Sequence, residues 1–169
     1  DVITTNCSNN YGPKQNPEKL IPLTIMNAIN GKKIPLYGDG SNIRDWLYVM
    51  DHCEGIYKTM LKGKTGEVYN IGGNNEKTNK YIVNKICRIL DDVFPVEKNK
   101  NMPKNMNSYS ELIENVKDRP GHDFRYSIDT TKIKEQLNWE PAETFESGIL
   151  KTINWYIENL DSFKDGSLD

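Results

Sequence analysis

The chain has 169 residues, which is long enough for a folded domain with an apolar core. Its formal net charge is -2 and 27% of its residues are charged, so it lacks the strongly basic composition of nucleic-acid-binding proteins. No run approaches the roughly 18 apolar residues that a membrane-spanning helix needs, and no signal peptide is apparent. We therefore expect a cytoplasmic protein that has neither nucleic acid nor a membrane as a partner.

The predicted elements begin with a strand at residues 1–6, which are rich in β-branched side chains. A strand at the first residue is expected of a chain cut from a longer one. Asn16 followed by Pro17 predicts a helix start, and Pro22 predicts either a kink or a break before a second helix over about residues 22–30. The apolar face of that helix is expected to contain Ile21, Ile25, Ala28 and Ile29.

The stretch from Pro35 to His52 combines several local signals. Residues 38–40, Gly-Asp-Gly, predict a tight turn, because glycine adopts positive φ without steric cost. A cation and an anion follow side by side, Arg44 and Asp45. Residues 46–49 then read as a short buried strand, and Asp51 is expected to cap a new helix.

The region after this cap predicts a helix whose apolar face repeats at i, i+3, i+4 and i+7. That face would contain Cys53, Ile56, Tyr57 and Met60. A short strand is predicted at residues 67–71, and a second helix from Thr78 or Asn79. This alternation of strands and helices favours an α/β fold.

The last third of the chain begins with a polar segment, residues 97–108, which we expect to be a mobile surface loop. A strand is predicted at residues 124–128, and Asp129 is expected to cap the helix that follows it. Thr144 precedes a final helix with one apolar stripe. From Asp161 onward the chain is expected to fray.

Side-chain chemistry alone suggests two arginines as candidate binding residues. Arg44 and Arg119 each lie beside an aspartate and turn residues, and a guanidinium presents a planar fork of donors that suits phosphate oxygens. The alternative is that Arg44–Asp45 and Asp118–Arg119 are surface ion pairs worth about 0 to 1 kcal/mol. From spacing alone, the second interpretation is favoured.

Longer blocks of sequence resemble a known family. Residues 37–52, with Tyr-Gly-Asp-Gly, Arg-Asp-Trp-Leu-Tyr-Val and Asp-His, are similar to the extended short-chain dehydrogenase/reductases that act on nucleotide sugars. The variant with Trp46 is most similar to the dTDP-glucose 4,6-dehydratases of that family. Further matching blocks lie at residues 8–13, 66–73, 118–123 and 144–148. The resemblance runs from Val2 to about Tyr156, and only residues 97–108 fit it poorly.

The resemblance implies a set of site residues. Asn9 would contact the substrate and Asn10 the nicotinamide side of NAD, while Lys19 and Leu20 would contact the nucleotide sugar near its diphosphate. The remaining residues would bind the base, nucleotide and diphosphate: Pro35, Leu36, Tyr37, Arg44, Asn79, Asp118, Arg119, Pro120, Gly121 and His122. No catalytic residue and no metal ligand is implied within this chain, and Cys7, Cys53 and Cys87 lack the spacing of metal ligands.

Several motifs of the family are missing from the sequence. It has no Gly-x-x-Gly-x-x-Gly turn for NAD and no Asp-Glu pair for dehydration. Asp91 and Asp92 lie about 100° apart on a predicted helix, so they are expected to face solvent rather than to replace that pair. The chain therefore resembles the carboxyl-terminal half of the enzyme, with NAD bound mainly by a missing amino-terminal half and a homodimer implied for the full-length protein.

The expected fold is α/β and comprises parts of two domains. Residues 1–15 and 51–73 would be the terminal part of a Rossmann-like NAD-binding sheet, and residues 16–50 and 74–160 would form the smaller mixed α/β substrate-binding domain. Residues 97–108 would be a mobile loop within it, and residues 161–169 a tail.

The expected function is to bind the nucleotide sugar within an NAD-dependent 4,6-dehydratase that converts dTDP-glucose to dTDP-4-keto-6-deoxyglucose and water. The alternatives within the family are a UDP-glucose 4,6-dehydratase, an epimerase and a decarboxylase. The alternative of another class is a non-catalytic module that only binds a nucleotide sugar or a partner protein. In every case the 169-residue chain alone is expected to be inactive.

Overall fold

The computed structural model describes residues 1–160, so the predicted tail at 161–169 lies outside the described residues. The helices and strands in chain order are β1 (Thr4–Cys7), β2 (Asn9–Tyr11), α1 (Leu20–Ile29), β3 (Ile34–Tyr37), β4 (Ile43–Tyr48), α2 (Val49–Lys62), β5 (Val68–Ile71), β6 (Glu76–Thr78), α3 (Asn79–Val93), β7 (Ile113–Val116), β8 (Arg125–Tyr126), α4 (Thr131–Leu137) and α5 (Phe145–Glu158). Single 3-10 turns lie at Val96–Lys98 and Tyr109–Leu112. The mixed α/β class agrees with the prediction.

The described residues form two compact units, each built from three separate segments of the chain. The first unit comprises residues 1–12, 42–77 and 123–148, and the second comprises 13–41, 78–122 and the segment from 149 onward. Residues 42–50, 74–77 and 123–148, which were expected in the substrate-binding domain, thus group with residues 1–12 and 51–73 of the expected NAD-binding region. The assignment of either unit to a role stays a proposal.

The first unit contains parallel strand pairs with a shared apolar core. β1 pairs with β5 from Thr4↔Val68 to Cys7↔Ile71, and β4 pairs with both β2 and β8. Helix α2 connects β4 to β5, which belong to different strand pairs. The core cluster consists of Leu47, Tyr69, Ile71, Ile133, Leu137 and Trp139.

The predicted cap of α2 is wrong. Strand β4 runs directly into the helix, whose N-cap is Tyr48, so Asp51 lies within the first turn. The buried carboxylate of Asp51 instead accepts hydrogen bonds from the backbone N–H groups of Ala142 and Glu143, at 3.1 and 3.0 Å. It therefore holds the loop that precedes α5, a role that local sequence does not reveal.

The predicted buried face of α2 is also wrong. The buried residues of this helix are Asp51, Gly55 and Thr59, whereas Cys53, Ile56, Tyr57 and Met60 are all exposed. Close packing explains the choice of face, because a Cβ on Gly55 would lie 2.7 Å from Ile71 and 3.1 Å from Trp139. The helix approaches the core through its small residues and leaves its large apolar residues outside.

In the second unit, α1 and α3 pack together beside β3. The predicted cap at Asn16 is wrong: its Oδ1 accepts from the backbone N–H of Glu18 in a turn, and α1 begins at Leu20. Pro22 is the third residue of the helix, where a backbone N–H would have no intrahelical partner. It therefore neither kinks nor splits the helix, and the predicted apolar face of α1 is buried.

Of the other two predicted caps, one is present and one is displaced by a residue. Thr78 caps α3 as expected and accepts from the N–H of Tyr81 at 3.1 Å. The N-cap of α4 is Thr130, but Asp129 still binds the first turn, accepting from both the N–H and the hydroxyl of Thr131. The strand predicted at 124–128 shortens to the two residues of β8.

The polar segment 97–108 has anchors that its composition does not suggest. The buried amide of Asn99 donates to the carbonyl of Ile29 at 2.9 Å, and Asn101 donates to the same oxygen at 3.2 Å. At the other end, Asp91 accepts from the hydroxyl of Ser108 and the N–H of Tyr109. Asp91 is thus engaged with this segment rather than simply facing solvent, and the mobility of the segment stays a prediction.

We expect the substitution Asn99→Ala to lower the free energy of unfolding by about 1–2 kcal/mol, because it removes a buried amide that donates to the carbonyl of Ile29 and accepts from the N–H of Asn101. Urea denaturation measures this difference. The exposed Lys104→Ala in the same segment is the matched control and should change stability by less than about 0.5 kcal/mol. Equal stability of the two variants would show that Asn99 is not an anchor.

We also expect limited proteolysis to cleave first between residues 100 and 107, because this stretch is polar and mostly exposed between two hydrogen-bonded ends. Mass spectrometry of the first fragments locates the cut. Initial cleavage in another part of residues 1–160, with this stretch intact, would contradict the prediction.

Candidate functional site

The candidate residues are distributed over both units, and each set is described within its own unit. In the first unit, Asn9 pairs with Trp46 and Asn10 with Leu47 in the register of β2 and β4. Consecutive strand residues point to opposite faces, so the two asparagine amides lie on different sides of the sheet. The Asn10 amide nitrogen donates to the carbonyl of Ser8 at 3.1 Å, which fixes its orientation.

Arg44 is a buried residue with a defined structural role. Its side chain donates from Nη1 to the carbonyl of Ile43 at 2.6 Å and from Nη2 to the carbonyl of Asp123 at 2.7 Å. Only 8% of the residue is exposed, which excludes the alternative of a solvent-exposed ion pair with Asp45. Since a guanidinium has five N–H donors, these two bonds leave Arg44 with further donors for an anion.

Asp45 points to the other side of the strand and is 1% exposed. Its carboxylate accepts from the N–H of Gly73 at 2.9 Å and from that of Asn75 at 2.6 Å. A Cβ on Gly72 would lie 2.8 Å from the same carboxylate, so glycine is required for this close approach. Asp45 therefore fixes the turn after β5, and sequence analysis missed this role, although an aspartate inside an apolar strand was the available signal.

A third contact joins β8 to β6. Arg125 donates from Nε and Nη2 to the two carboxylate oxygens of Glu76, at 2.8 and 2.6 Å. The two-point hydrogen bond lowers the pKa of Glu76 to about 2, so the pair stays ionised well into the acid range. Together with Arg44, it determines where the backbone at 123–126 lies.

In the second unit, the predicted turn at 38–40 is present. Gly38 and Gly40 have φ of +57° and +74°, and Asp39 accepts from the N–H of Ser41 at 2.9 Å. The carbonyl of Gly40 accepts from the N–H of Lys80 at 2.9 Å, which joins the turn to the first turn of α3. The turn thus places the end of β3 beside a helix N-terminus.

The three residues expected to line the base do not share one face. Leu36 is buried in the core, while Pro35 and Tyr37 point to the other side of β3 and Tyr37 is exposed. A base at this strand could contact Pro35 and Tyr37 through their side chains, and Leu36 only through its backbone.

The segment 118–122 lies against the same turn. The carboxylate of Asp118 is 3.4 Å from the position that a Cβ on Gly38 would occupy. It accepts from the N–H of Arg119 at 2.8 Å and lies 2.7 Å from Nδ1 of His122, and this contact with His122 lowers the pKa of Asp118. The Arg119–Pro120–Gly121 tip is exposed, so the Asp118–His122 contact closes a small loop that presents Arg119 to solvent.

The other candidates of this unit lie at helix N-termini. Lys19 is the N-cap residue of α1 and Leu20 its first residue, while Asn79 is the first residue of α3. Backbone N–H groups without intrahelical partners point outward at such positions, where the helix dipole favours negative charge. The arrangement suits a phosphate, although most helix N-termini bind only water.

Residues 1–160 contain neither a candidate metal site nor a membrane-spanning helix. No group of three or more His, Cys, Asp or Glu side chains could hold a metal ion. None of the described helices is long and apolar enough to cross a membrane. As for NAD, the residues present fit it only in part, because Asn10 offers one oriented amide and a dinucleotide needs a phosphate cradle as well.

Known proteins match almost the whole chain. The family model described as GDP-mannose 4,6 dehydratase matches residues 1–152. The dTDP-glucose 4,6-dehydratase 1 of Escherichia coli (strain K12) is 55% identical over 169 residues, which covers 98% of this chain and 44% of that protein. The dTDP-glucose 4,6-dehydratase of Neisseria gonorrhoeae is 55% identical over 157 residues, or 93% of this chain and 44% of its own length.

Two solved structures have the same fold. The dTDP-glucose 4,6-dehydratase of Bacillus anthracis in complex with NAD has a TM-score of 0.82 and 50% identity, over 98% of this chain and 47% of that one. DesIV from Streptomyces venezuelae, a dTDP-glucose 4,6-dehydratase with NAD and TYD bound, has a TM-score of 0.83 and 40% identity, over 99% of this chain and 47% of that one. The chain spans less than half the length of these relatives.

The matches confirm the predicted resemblance and the predicted α/β fold. They run through the Gly-Asp-Gly turn, the Arg44–Asp45 strand and the Asp118–His122 loop, all of which lie within the matched residues. The chain belongs to the GDP-mannose 4,6 dehydratase family.

Proposed function

We propose that the chain is the nucleotide-sugar-binding part of an NAD-dependent dTDP-glucose 4,6-dehydratase and corresponds to the carboxyl-terminal half of the enzyme. The observation that carries the proposal is identity of 50% or more with dTDP-glucose 4,6-dehydratases over almost the whole chain. The catalytic activity belongs to a longer protein, because those relatives are more than twice as long.

The second unit would hold the nucleotide. Pro35 and the exposed Tyr37 offer a flat, partly apolar surface next to the Gly38 turn, which suits the face of a pyrimidine base. Arg119, presented by the Asp118–His122 loop against the same turn, would bind the diphosphate. Lys19, Leu20 and Asn79 would add a charge and helix N–H groups to it.

The first unit would orient the sugar and touch the cofactor. Asn9 would hydrogen-bond the substrate, and Asn10 on the opposite face of β2 would meet the nicotinamide side of NAD. Arg44 would keep the backbone at Asp123 in place with two of its donors and use the others for the nucleotide. Each of these groups binds or orients, and none is placed as an acid or base.

When bound, NAD supplies the acceptor and later the donor of the hydride, and dTDP-glucose loses water to give dTDP-4-keto-6-deoxyglucose. The residues of this chain would contribute by restricting the substrate to one geometry, which is itself a large part of the rate enhancement of enzymes. The proton transfers need groups outside the 169 residues, because no suitable acid–base pair is present in the sequence.

We also propose, on the family resemblance, a cytoplasmic location and a homodimer for the full-length protein. A UDP-sugar substrate is the nearest alternative, since the UDP-glucose 4-epimerase of Thermotoga maritima with UDP-glucose has the same fold, with a TM-score of 0.74 and 25% identity. The higher identity to dTDP-glucose 4,6-dehydratases favours dTDP-glucose.

Replacing Arg119 by alanine should weaken the binding of dTDP about tenfold, which is about 1.4 kcal/mol, because the diphosphate loses a charged donor. Isothermal titration calorimetry on the 169-residue chain measures the affinity for dTDP. The same titration with UDP measures the affinity for the alternative nucleotide. The exposed Arg88→Ala is the matched control and should leave the affinity unchanged. Equal losses in both variants would indicate a general charge effect rather than a site at Arg119.

The 169-residue chain alone should give no dTDP-4-keto-6-deoxyglucose from dTDP-glucose and NAD, because it lacks both a phosphate cradle for NAD and an acid–base pair. Product formation is followed by chromatography, with the full-length E. coli (strain K12) enzyme as the positive control. Turnover by this chain comparable to that control would place the catalytic centre within its 169 residues.

A further inference from the structure

A hollow in the second unit lies at the C-terminal end of α1. Its volume is about 490 Å³, which is within the range of small-molecule sites. We call it the basic hollow, because no aspartate or glutamate of residues 1–160 is among its lining residues, whereas three lysines are. The lining includes Met26, Ile29, Phe94, Lys32, Lys98 and Lys100.

The backbone beside the basic hollow is held in place without the help of its lysines. Gly31 has a φ of +63°, and a Cβ at this position would overlap the backbone carbonyl of Asn101. The side chains of Asn99 and Asn101 both donate to the carbonyl of Ile29, at 2.9 and 3.2 Å. The polar segment therefore forms a wall that packs directly against the end of α1.

The lysines are also not needed to satisfy the end of α1. A cation near a helix C-terminus often binds the last carbonyl groups. In α1, however, each of the last four carbonyls already accepts from an N–H group of an amide. The backbone N–H groups of Asn30, Lys32 and Gly31 bind the carbonyls of Met26, Asn27 and Ala28, and the carbonyl of Ile29 has the two asparagine side chains.

The ammonium groups therefore remain available to a ligand. Lys32, Lys98 and Lys100 are exposed, and none of them forms an ion pair with a carboxylate of residues 1–160. Like charges around one hollow repel each other, and a bound anion removes this repulsion.

The lining indicates the chemistry of that anion. An ammonium group has three donors and no acceptor, and it binds phosphate as a point charge, whereas an arginine fork suits a planar carboxylate. The lining contains no arginine. Met26 and Phe94 are half-buried and offer a thioether and an aromatic ring to an apolar group.

We propose that the basic hollow binds a small phosphorylated molecule that also carries an apolar ring or chain. Its phosphate binds the ammonium groups of Lys32, Lys98 and Lys100, and its apolar part lies on Met26 and Phe94. The amides of Asn99 and Asn101 are used within the protein, so the phosphate is recognised by charge.

This site is separate from the proposed nucleotide site in the same unit. The Gly38 turn joins the N-terminal end of α3 through the hydrogen bond from the N–H of Lys80 to the carbonyl of Gly40. Phe94 follows the C-terminal end of the same helix. At 1.5 Å per residue, the 15 residues of α3 place about 20 Å between the two sites.

Pyridoxal 5′-phosphate is a probe of the required chemistry, because it carries a phosphate, an aromatic ring and an aldehyde. The aldehyde condenses with a lysine Nζ with loss of water, and borohydride reduces the C=N bond to a stable C–N bond. Mass spectrometry of peptides locates the label. Proximity should make the lysines of the basic hollow about ten times more reactive than Lys33 and Lys104, which are exposed but do not line it.

Competition distinguishes the phosphate from the apolar part. Pyridoxine 5′-phosphate, which lacks the aldehyde, should suppress labelling of the basic hollow at about one-tenth of the concentration that inorganic phosphate requires. Pyridoxine without phosphate should not suppress it. Labelling of the basic hollow no greater than that of Lys33 and Lys104 overturns the proposal, and so does equal suppression by pyridoxine.

A matched pair of double variants tests the role of the charges. In Lys98→Gln with Lys100→Gln, labelling of Lys32 should fall about tenfold, because two of the three cations that bind the phosphate are gone. Lys33→Gln with Lys104→Gln removes the same charge outside the basic hollow and should leave the labelling of Lys32 unchanged. Equal falls in both double variants would indicate a general charge effect and would overturn the proposal.

One further variant tests a competing occupant from the chain itself. Leu160 is among the lining residues, and the next nine residues of the sequence include Asp161, Asp165 and Asp169. Replacing these three aspartates by asparagine in the 169-residue chain should leave the labelling of the basic hollow unchanged. Labelling that appears only in this variant would assign the basic hollow to residues 161–169 instead of a phosphorylated ligand.

Discussion

Two adjacent side chains of β4 hold neighbouring backbone segments in place, one on each face of the strand. Arg44 and Asp45 follow one another in a strand, so they point to opposite faces, and both are buried. Asp45 binds the N–H groups of Gly73 and Asn75, and Arg44 binds the carbonyl of Asp123. Because a buried charge without its partners is costly, these hydrogen bonds determine the positions of both segments.

The same principle recurs at the other anchors of the chain. Asp51 binds two backbone N–H groups before α5, and Asn99 holds the polar segment to the carbonyl that ends α1. In each case a buried polar side chain replaces regular secondary structure as the constraint on a loop. These buried side chains therefore order the turn after β5, the backbone at Asp123, the loop before α5 and the start of the polar segment.

Local sequence patterns predicted where helices and strands lie better than they predicted what packs against them. The strand after residue 66, the helix capped by Thr78 and the apolar face of α1 follow from propensity, capping and periodicity, and all three are present. The face of α2 was predicted wrongly, because periodicity shows that apolar residues share a face but not what covers it. The core contact of α2 is made instead by Gly55, because the absence of a side chain allows the helix to approach the core closely.

The roles of Asp45 and Asp51 could not be predicted, since their partners lie roughly 30 and 90 residues further along the chain. The family resemblance, by contrast, supplied candidate residues that no spacing rule would have chosen, such as Lys19 and Asn79. The structure adds how some of the candidates lie together: the exposed Tyr37 and the Asp118–His122 loop both adjoin the Gly38 turn.

Binding of the nucleotide at the Gly38 turn is tested most directly by an NMR titration of the isotopically labelled chain with dTDP, which follows every assigned backbone amide at once. Binding at that turn places the largest chemical-shift changes on residues 35–40 and 118–122, which adjoin there. Saturable binding whose largest changes lie elsewhere in the second unit, with these two segments unaffected, would contradict it.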